Sequence, residues 1–396
     1  MEKAFFFLYS ILSFLLYLVA LPFLLLFFFK SKYKESLPAR FFLWKNKALK
    51  SDGIWFHSCS FGEAKAIHSL VAQFPKESLR MSTTTQTGYK VIKEYTKQSR
   101  YLPFEPLLFG WIKPQKALVV MEAEFWYLLF ALAQSRGAKT FLINARMSDR
   151  SFPKYQKIGW LYKEIFKHID EVYAQTSKDK ERLESLGAKN VTVTGNIKLA
   201  QLTGASKKLQ KPSGLVVCGA STHEGEEALV LEAFTALKKE HPEAILLLVP
   251  RHPERFDKVA SLVEKVAKSR DQGERDDPLR WHRYSEHESF DSDIIVIDKM
   301  GELVNMYAIS DIVILGGAFE PIGGHNAAEA AQFGCKIISG EHYFNQKDIF
   351  DAIEGIVVVE ASNLTKRLLQ HGLLKPTMIK NKSDITPIVE SIKSVL

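Results

Sequence analysis

Cysteine is scarce in this chain: Cys59, Cys218 and Cys335 are the only three in 396 residues, and no two form a CxxC pair. That argues against a disulfide framework and fits a reducing compartment. The histidines are scattered, and no DxD-like carboxylate cluster stands ready to hold a divalent ion with a nucleotide diphosphate, so no metal site is expected. "HEGEE" is not a zinc protease motif, because Glu227 stands four beyond His223. GxGxxG and GKT/S phosphate loops are also missing. A formal charge of +8 points to anionic partners such as phosphates or a membrane surface. Nucleic acid is not expected, since zinc-finger spacing and an aromatic RNA-binding signature are both lacking. With 46% apolar and 25% charged residues, the chain is not of a disordered type.

Charge is absent altogether from Ala4 to Phe29, "AFFFLYSILSFLLYLVALPFLLLFFF". The run exceeds the roughly 20 residues that a helix needs to cross a bilayer core. It ends in "KSKYKESLPAR" rather than a small-residue cleavage site, so an uncleaved anchor is expected. Lys30, Lys32, Lys34 and Arg40 follow it, whereas Lys3 precedes it, which leaves the rest of the chain in the cytoplasm. A helix lying in the interface would show one polar face, and this segment has almost none.

Short apolar runs then alternate with helical patterns. "GIWFHS", "SLRMST", "ALVVM", "KTFLIN" and "EVYAQT" read as strands of a first series. "GLVVCGA", "AILLLVP", "DIIVID", "DIVILGG" and "CKIIS" form a second. Such alternation implies parallel sheets with helices on both faces. The expected division is an anchor at 1–30, a first α/β domain at 31–200, a polar linker at 201–212, and a second α/β domain at 213–396 that includes the C-terminal helices. The passage from Lys268 to Asp293 reads as an exposed excursion because of its polarity. Ligands in such sheets sit beyond the carboxyl ends of the strands.

Those ends carry the interesting residues. "HSCSFGEAKA" places Ser60, Gly62 and Glu63 at a helix start after the first strand. Glu63 is either a general base or an acid that complements the helix dipole. "STTTQTG" offers hydroxyls, Thr84 and Thr85 among them, of which capping explains at least one. "MEAEFW" ends an apolar strand in Glu122 and Glu124, which alternation puts on one face, where one acid would have a raised pKa. Arg146 and Arg150 of "NARMSDRS" suit an anionic acceptor or those acids. In the second series Ser221 and Glu224 have capping-box spacing. Arg251 stands where its guanidinium reaches a nucleotide phosphate or merely solvent. "GGHNAAEAA" sets Asn326 and Glu329 on one helical face, as ribose ligands or as a capping box.

Taken in order, "HSCSFGEAKA", "STTTQTGYK", "MEAEFW", "NARMSDRS", "VTGNIK", "ASTHEGEE", "VPRHPERF", "GELVNMYAISDIVILGG" and "GGHNAAEA" resemble the Kdo transferases, membrane-anchored enzymes of lipopolysaccharide assembly. The resemblance runs from the anchor to about Asp351. It implies an α/β GT-B fold with two Rossmann-like domains facing a cleft. It also implies inverting, metal-independent transfer of 3-deoxy-D-manno-octulosonic acid (Kdo) from CMP-Kdo to the lipid A precursor, with no cofactor, at the cytoplasmic face of a bacterial inner membrane. By the same resemblance Glu63 is the base, with Glu122 and Glu124 as further catalytic acids. Ser221, Thr222, Arg251, His252, Gly323, Gly324, Asn326 and Glu329 bind CMP-Kdo, and Ser60, Gly62, Thr84, Thr85 and Arg146 serve the acceptor. The glycines would then let the nucleotide approach the backbone. "MEAEFWYL" departs from the family's "ETELWP", and "GGHNAAEA" from "GGHNPLEP"; neither change removes an acid or the Asn-Glu pair. A UDP-sugar transferase of the same fold, or a silent scaffold for lipopolysaccharide intermediates, is the alternative.

Overall fold

Apolar strand runs separated by helices fold as two separate parallel sheets. The computed structural model of the protein describes residues 2–27, 33–200, 202–269, 278–380 and 383–396. Lys30 and Lys32 of the basic segment lie outside these residues, as do residues 270–277 of the polar excursion. Contacts divide the chain into Met1–Gln201 with Asn381–Leu396, and Leu202–Lys380.

In the first unit the strands are β1 (Ile54–His57), β2 (Leu79–Thr83), β3 (Ser99–Tyr101), β4 (Ala117–Met121), β5 (Lys139–Ala145), β6 (Glu171–Ala174) and β7 (Val191–Val193). They pair in parallel in the order β3-β2-β1-β4-β5-β6-β7. Every residue of β1, β2 and β4 is buried, as happens when helices cover both faces of a sheet. Trp55, Leu118 and Val120 join one core, while Ile54, Phe56, Ala117 and Val119 join the other. Strand order reverses between β1 and β4, so a crevice opens at their carboxyl ends.

The C-terminal helix Thr386–Lys393 departs from the expected boundaries. Ile388, Val389 and Ile392 pack in the same core as Ile54 and Phe56, so this apolar face finds its partners under the first sheet. At the other end, helix Glu2–Phe27 is long and apolar enough to cross a membrane over Lys3–Leu24. One side of it rests on the unit. Phe5, Phe6 and Tyr9 pack on Tyr127, and Phe5 also meets Trp160 edge to face. Tyr9 donates to Glu105 at 2.6 Å, and Tyr17 donates to the Phe41 carbonyl. The helix's hydroxyls, on Tyr9, Ser10, Ser13 and Tyr17, follow helical spacing along this covered side. Phe7, Leu8, Leu12, Leu16 and Val19 remain mostly exposed on the other.

In the second unit β8 (Val216–Thr222), β9 (Ile245–Pro250), β10 (Trp281–Arg283), β11 (Ile294–Val296), β12 (Ile312–Leu315), β13 (Lys336–Ser339) and the short strand Val357–Val358 form another parallel sheet. The order is β10-β11-β9-β8-β12-β13 and then Val357–Val358, with its reversal between β8 and β12. Part of the polar passage expected to be an excursion therefore supplies the edge strand β10, and Tyr284 after it is fully buried.

Helices begin later than the sequence suggests: at Tyr127 rather than Glu124, at Glu226 rather than Glu224, and at Ala328 rather than His325. Each time, positive φ angles turn the chain first: 57° at Glu122, 93° at Gly225, and 117° and 82° at Gly323 and Gly324. These longer connections hold most of the candidate residues.

Candidate functional site

In the first unit, β1 ends at His57 and the chain turns into helix Phe61–Ala66, capped by Ser60. Ser60 Oγ accepts from the Glu63 N–H at 3.2 Å and donates to Glu63 Oε1 at 2.7 Å. The Cys59 N–H donates to Glu63 Oε2 at 2.8 Å, so both carboxylate oxygens are held. Burial, then the charge of Glu122, raise the Glu63 pKa, while the two donors pull against them. Glu63 thus takes part in the helix start and has its proton affinity raised. Gly62 next to it is exposed, and a Cβ there would meet only Ser60 Oγ, at 4.0 Å.

The acids after β4 do not share a strand face. β4 ends at Met121, and the left-handed Glu122 breaks the alternation. Glu122 Oε1 lies 3.3 Å from Lys198 Nζ and 3.4 Å from Asn144 Nδ2, whereas Glu124 Oε2 accepts from Trp126 Nε1 at 2.6 Å. Lys198, which was not among the expected residues, is a cation beside Glu122. Arg146 is half-buried just past β5, and Arg150 is exposed. Asn144, also left-handed at φ 53°, accepts from the Ile197 N–H at 3.0 Å and so ties β5 to the loop that carries Lys198. Neither Asn144 nor Lys198 is singled out by the sequence, although Asn144 opens "NARMSDRS" and Lys198 closes "VTGNIK". Thr84 and Thr85 direct their hydroxyls to the Cys59 carbonyl, at 3.3 and 2.9 Å, and Thr85 also caps helix Gln86–Tyr95. They build the Cys59 turn from within.

In the second unit the residue that organises the strand ends is Glu226, which the sequence analysis passes over. Fully buried, it accepts from the N–H groups of His223 at 3.0 Å, Gly317 at 2.8 Å and Phe319 at 3.0 Å. It thereby fastens the "GGAFE" loop after β12 to the start of its own helix. A Cβ on Gly316 would lie 2.6 Å from the Ser221 carbonyl and 2.9 Å from Glu226 Oε2. This glycine serves a close approach of the chain to itself, rather than the approach to a ligand that was expected. Ser221, left-handed at φ 52°, forms no capping box with Glu224, which instead pairs with Lys258 and Arg255. The backbone N–H of Arg251 donates to the Thr222 carbonyl at 3.0 Å.

Around this frame stand three imidazoles. His223 Nε2 and His325 Nε2 are 2.9 Å apart, and the His252 ring meets His223 at 5.2 Å between centroids. Burial, then His223, Arg251 and His252, push the His325 pKa down to about 4. Asn326 accepts from the Ala328 N–H at 3.1 Å and donates to Glu329 at 3.3 Å. No capping box forms, since Ala327 occupies the cap. Burial raises the Glu329 pKa, with Asn326 and Arg251 opposing. Arg251 and His252 are exposed, so a guanidinium and imidazoles face solvent where an anion can reach them.

Two doubly wound parallel sheets in one chain are the plan of the GT-B-like fold. A family profile described as 3-deoxy-D-manno-octulosonic-acid transferase (kdotransferase) matches residues 35–201. The 3-deoxy-D-manno-octulosonic acid transferase of Haemophilus influenzae is 31% identical over 367 residues, covering 86% of this chain and 83% of that one. Its counterpart from Bordetella pertussis is 32% identical, covering 74% and 72%. The crystal structure of the C-terminal CMP-Kdo binding domain of WaaA from Acinetobacter baumannii is similar at 27% identity, over 46% of this chain and 89% of that one, with a TM-score of 0.34. The chain belongs to the 3-deoxy-D-manno-octulosonic acid transferase family.

Proposed function

We propose that the protein transfers Kdo from CMP-Kdo to a sugar hydroxyl of the lipid A precursor, with inversion at the anomeric carbon. Inversion needs a base on the face opposite the leaving group. Glu63 takes the proton of the attacking 6′-hydroxyl as the bond from C2 of Kdo to the CMP phosphate breaks. Arg251, His252 and the helix start after β8 meet the charge that develops on CMP, and so supply what a divalent ion would otherwise supply. Asn326 and Glu329 receive the ribose or phosphate, with Ser221, Thr222, Gly323 and Gly324 shaping the turn that presents them. Glu122 and Glu124 share the catalytic role, while Ser60, Gly62, Thr84, Thr85 and Arg146 border the acceptor. The reaction takes place at the cytoplasmic face of a bacterial inner membrane, where the apolar outer side of helix Glu2–Phe27 enters the lipid.

The observation that carries this reading is the Glu63 carboxylate, held by Ser60 and the Cys59 N–H and raised by burial next to Glu122. Its test is a transfer assay on the detergent-purified protein with tetraacylated lipid A precursor and CMP-Kdo generated in place, read by mass spectrometry. One or more added Kdo units are expected. No mass shift, beside an active reference transferase, would refute the reading.

A further inference from the structure

His57 closes β1, Cys59 follows two residues later, and Glu124 comes from the turn after the neighbouring β4. A ring nitrogen of His57, the Cys59 sulfur and a Glu124 carboxylate oxygen all lie within 4.8 Å of one another. His57 is fully buried. Its Nδ1 faces the Ser82 carbonyl at 3.2 Å and Ser82 Oγ at 2.8 Å. A carbonyl can only accept, so Nδ1 carries the proton and Nε2 keeps a lone pair. Among the described residues that buried Nε2 has no hydrogen-bond partner. An unpaired buried nitrogen beside a thiol and a carboxylate is costly unless something fills the place.

We infer that His57, Cys59 and Glu124 form a site for a borderline-soft divalent ion, of which zinc is the best match. Imidazole, thiolate and carboxylate are the ligand types that zinc takes, and three protein ligands leave a fourth position for water. The surroundings have the features of an outer shell: Ser82 orients the imidazole, Trp126 Nε1 holds Glu124 Oε2 at 2.6 Å, and Thr84 Oγ1 lies 3.2 Å from Cys59 Sγ. Binding requires the thiol proton to leave to solvent as the zinc–sulfur bond forms. Of the cysteines, Cys59 alone is partly exposed; Cys218 and Cys335 are buried. Because Glu124 would become a ligand, zinc inhibits transfer; this consequence rests on the function proposed above, whereas binding does not.

Cobalt(II) added to the chelator-treated full chain tests the site without any transfer assay. One equivalent should produce a thiolate-to-cobalt charge-transfer band in the near ultraviolet, which zinc abolishes and the Cys59→Ser variant lacks. No band, or the same band in Cys59→Ser, would overturn the site. The unmodified protein provides a check independent of how that variant folds. Equimolar zinc should slow iodoacetamide alkylation of Cys59 at least tenfold, as read by peptide mass spectrometry, and an unchanged rate would likewise overturn it. Zinc that binds but leaves transfer untouched would overturn inhibition alone.

Discussion

The two units share a plan and differ in charge. Each sheet reverses its strand order beside its first strand, β1 against β4 in one and β8 against β12 in the other. The first unit gathers Glu63, Glu122 and Glu124 there. The second gathers His223, His252, His325 and Arg251, with Glu226 buried as their support. The topology makes a crevice, and the few residues after each strand decide which charged groups line it. In the first unit burial, then the neighbouring Glu122, raises the pKa of Glu63. In the second, burial, with the neighbouring imidazoles and Arg251, lowers the pKa of His325.

That division can be broken most directly at Glu63. Glu63→Gln should cut transfer at least about 100-fold while CMP affinity, measured by calorimetry, stays the same. Near-normal turnover would take the proton chemistry away from the first unit. Next in size is Glu226→Gln, which sets an amide among backbone N–H groups that need an acceptor. It should destabilise the protein by about 2–3 kcal/mol in urea unfolding, and hydrogen exchange should show the loss confined to residues 202–380. Loss spread equally over both units would make Glu226 something other than a local clamp.

Arg251→Met should weaken CMP binding about tenfold, in keeping with the loss of one charge-assisted contact, and leave the melting temperature unchanged. The smallest effect concerns pH. His325 titrates at about 4 when folded, below the 6.5 of an unfolded histidine. The unfolded chain therefore binds the extra proton first, and stability falls as pH drops from about 6.5 toward 4. At pH 5.5 the share of the loss due to His325 should be about 1 kcal/mol relative to pH 7.5, and His325→Gln should remove that part of the slope. An unchanged slope in the variant would show that this imidazole is not the one held neutral.

The interior strands were legible in the sequence because parallel strands covered on both faces are continuous apolar runs. Within the two parallel sheets, the strands not expected from the sequence are β3, β7, β10 and Val357–Val358, the edges; the short antiparallel pair Ile353–Glu354 with Met378–Ile379 was not expected either. Each edge strand has three residues or fewer, as edge strands commonly do, which leaves little pattern to read. Among candidate residues, Glu63 could be found because helical spacing fixes its relation to the Ser60 cap, and Asn326 with Glu329 because they are near in sequence, although Asn326 stands before the helix. Glu226 could not, since its N–H donors include those of a loop that only the folded sheet brings near. The meeting of His57 and Cys59 with Glu124 was hidden for the same reason, and the scattered histidines had suggested that no such cluster exists.

Helix Glu2–Phe27 has a consequence for anyone who would shorten the chain to obtain a soluble protein. Removing it takes away Phe5, Phe6 and Tyr9, uncovers the buried ring of Tyr127 and adds it to the already exposed Phe109 and Trp160, while Glu105 loses the Tyr9 hydroxyl. The truncated protein would exchange a greasy helix for a raw aromatic surface, and would still require detergent to stay dispersed.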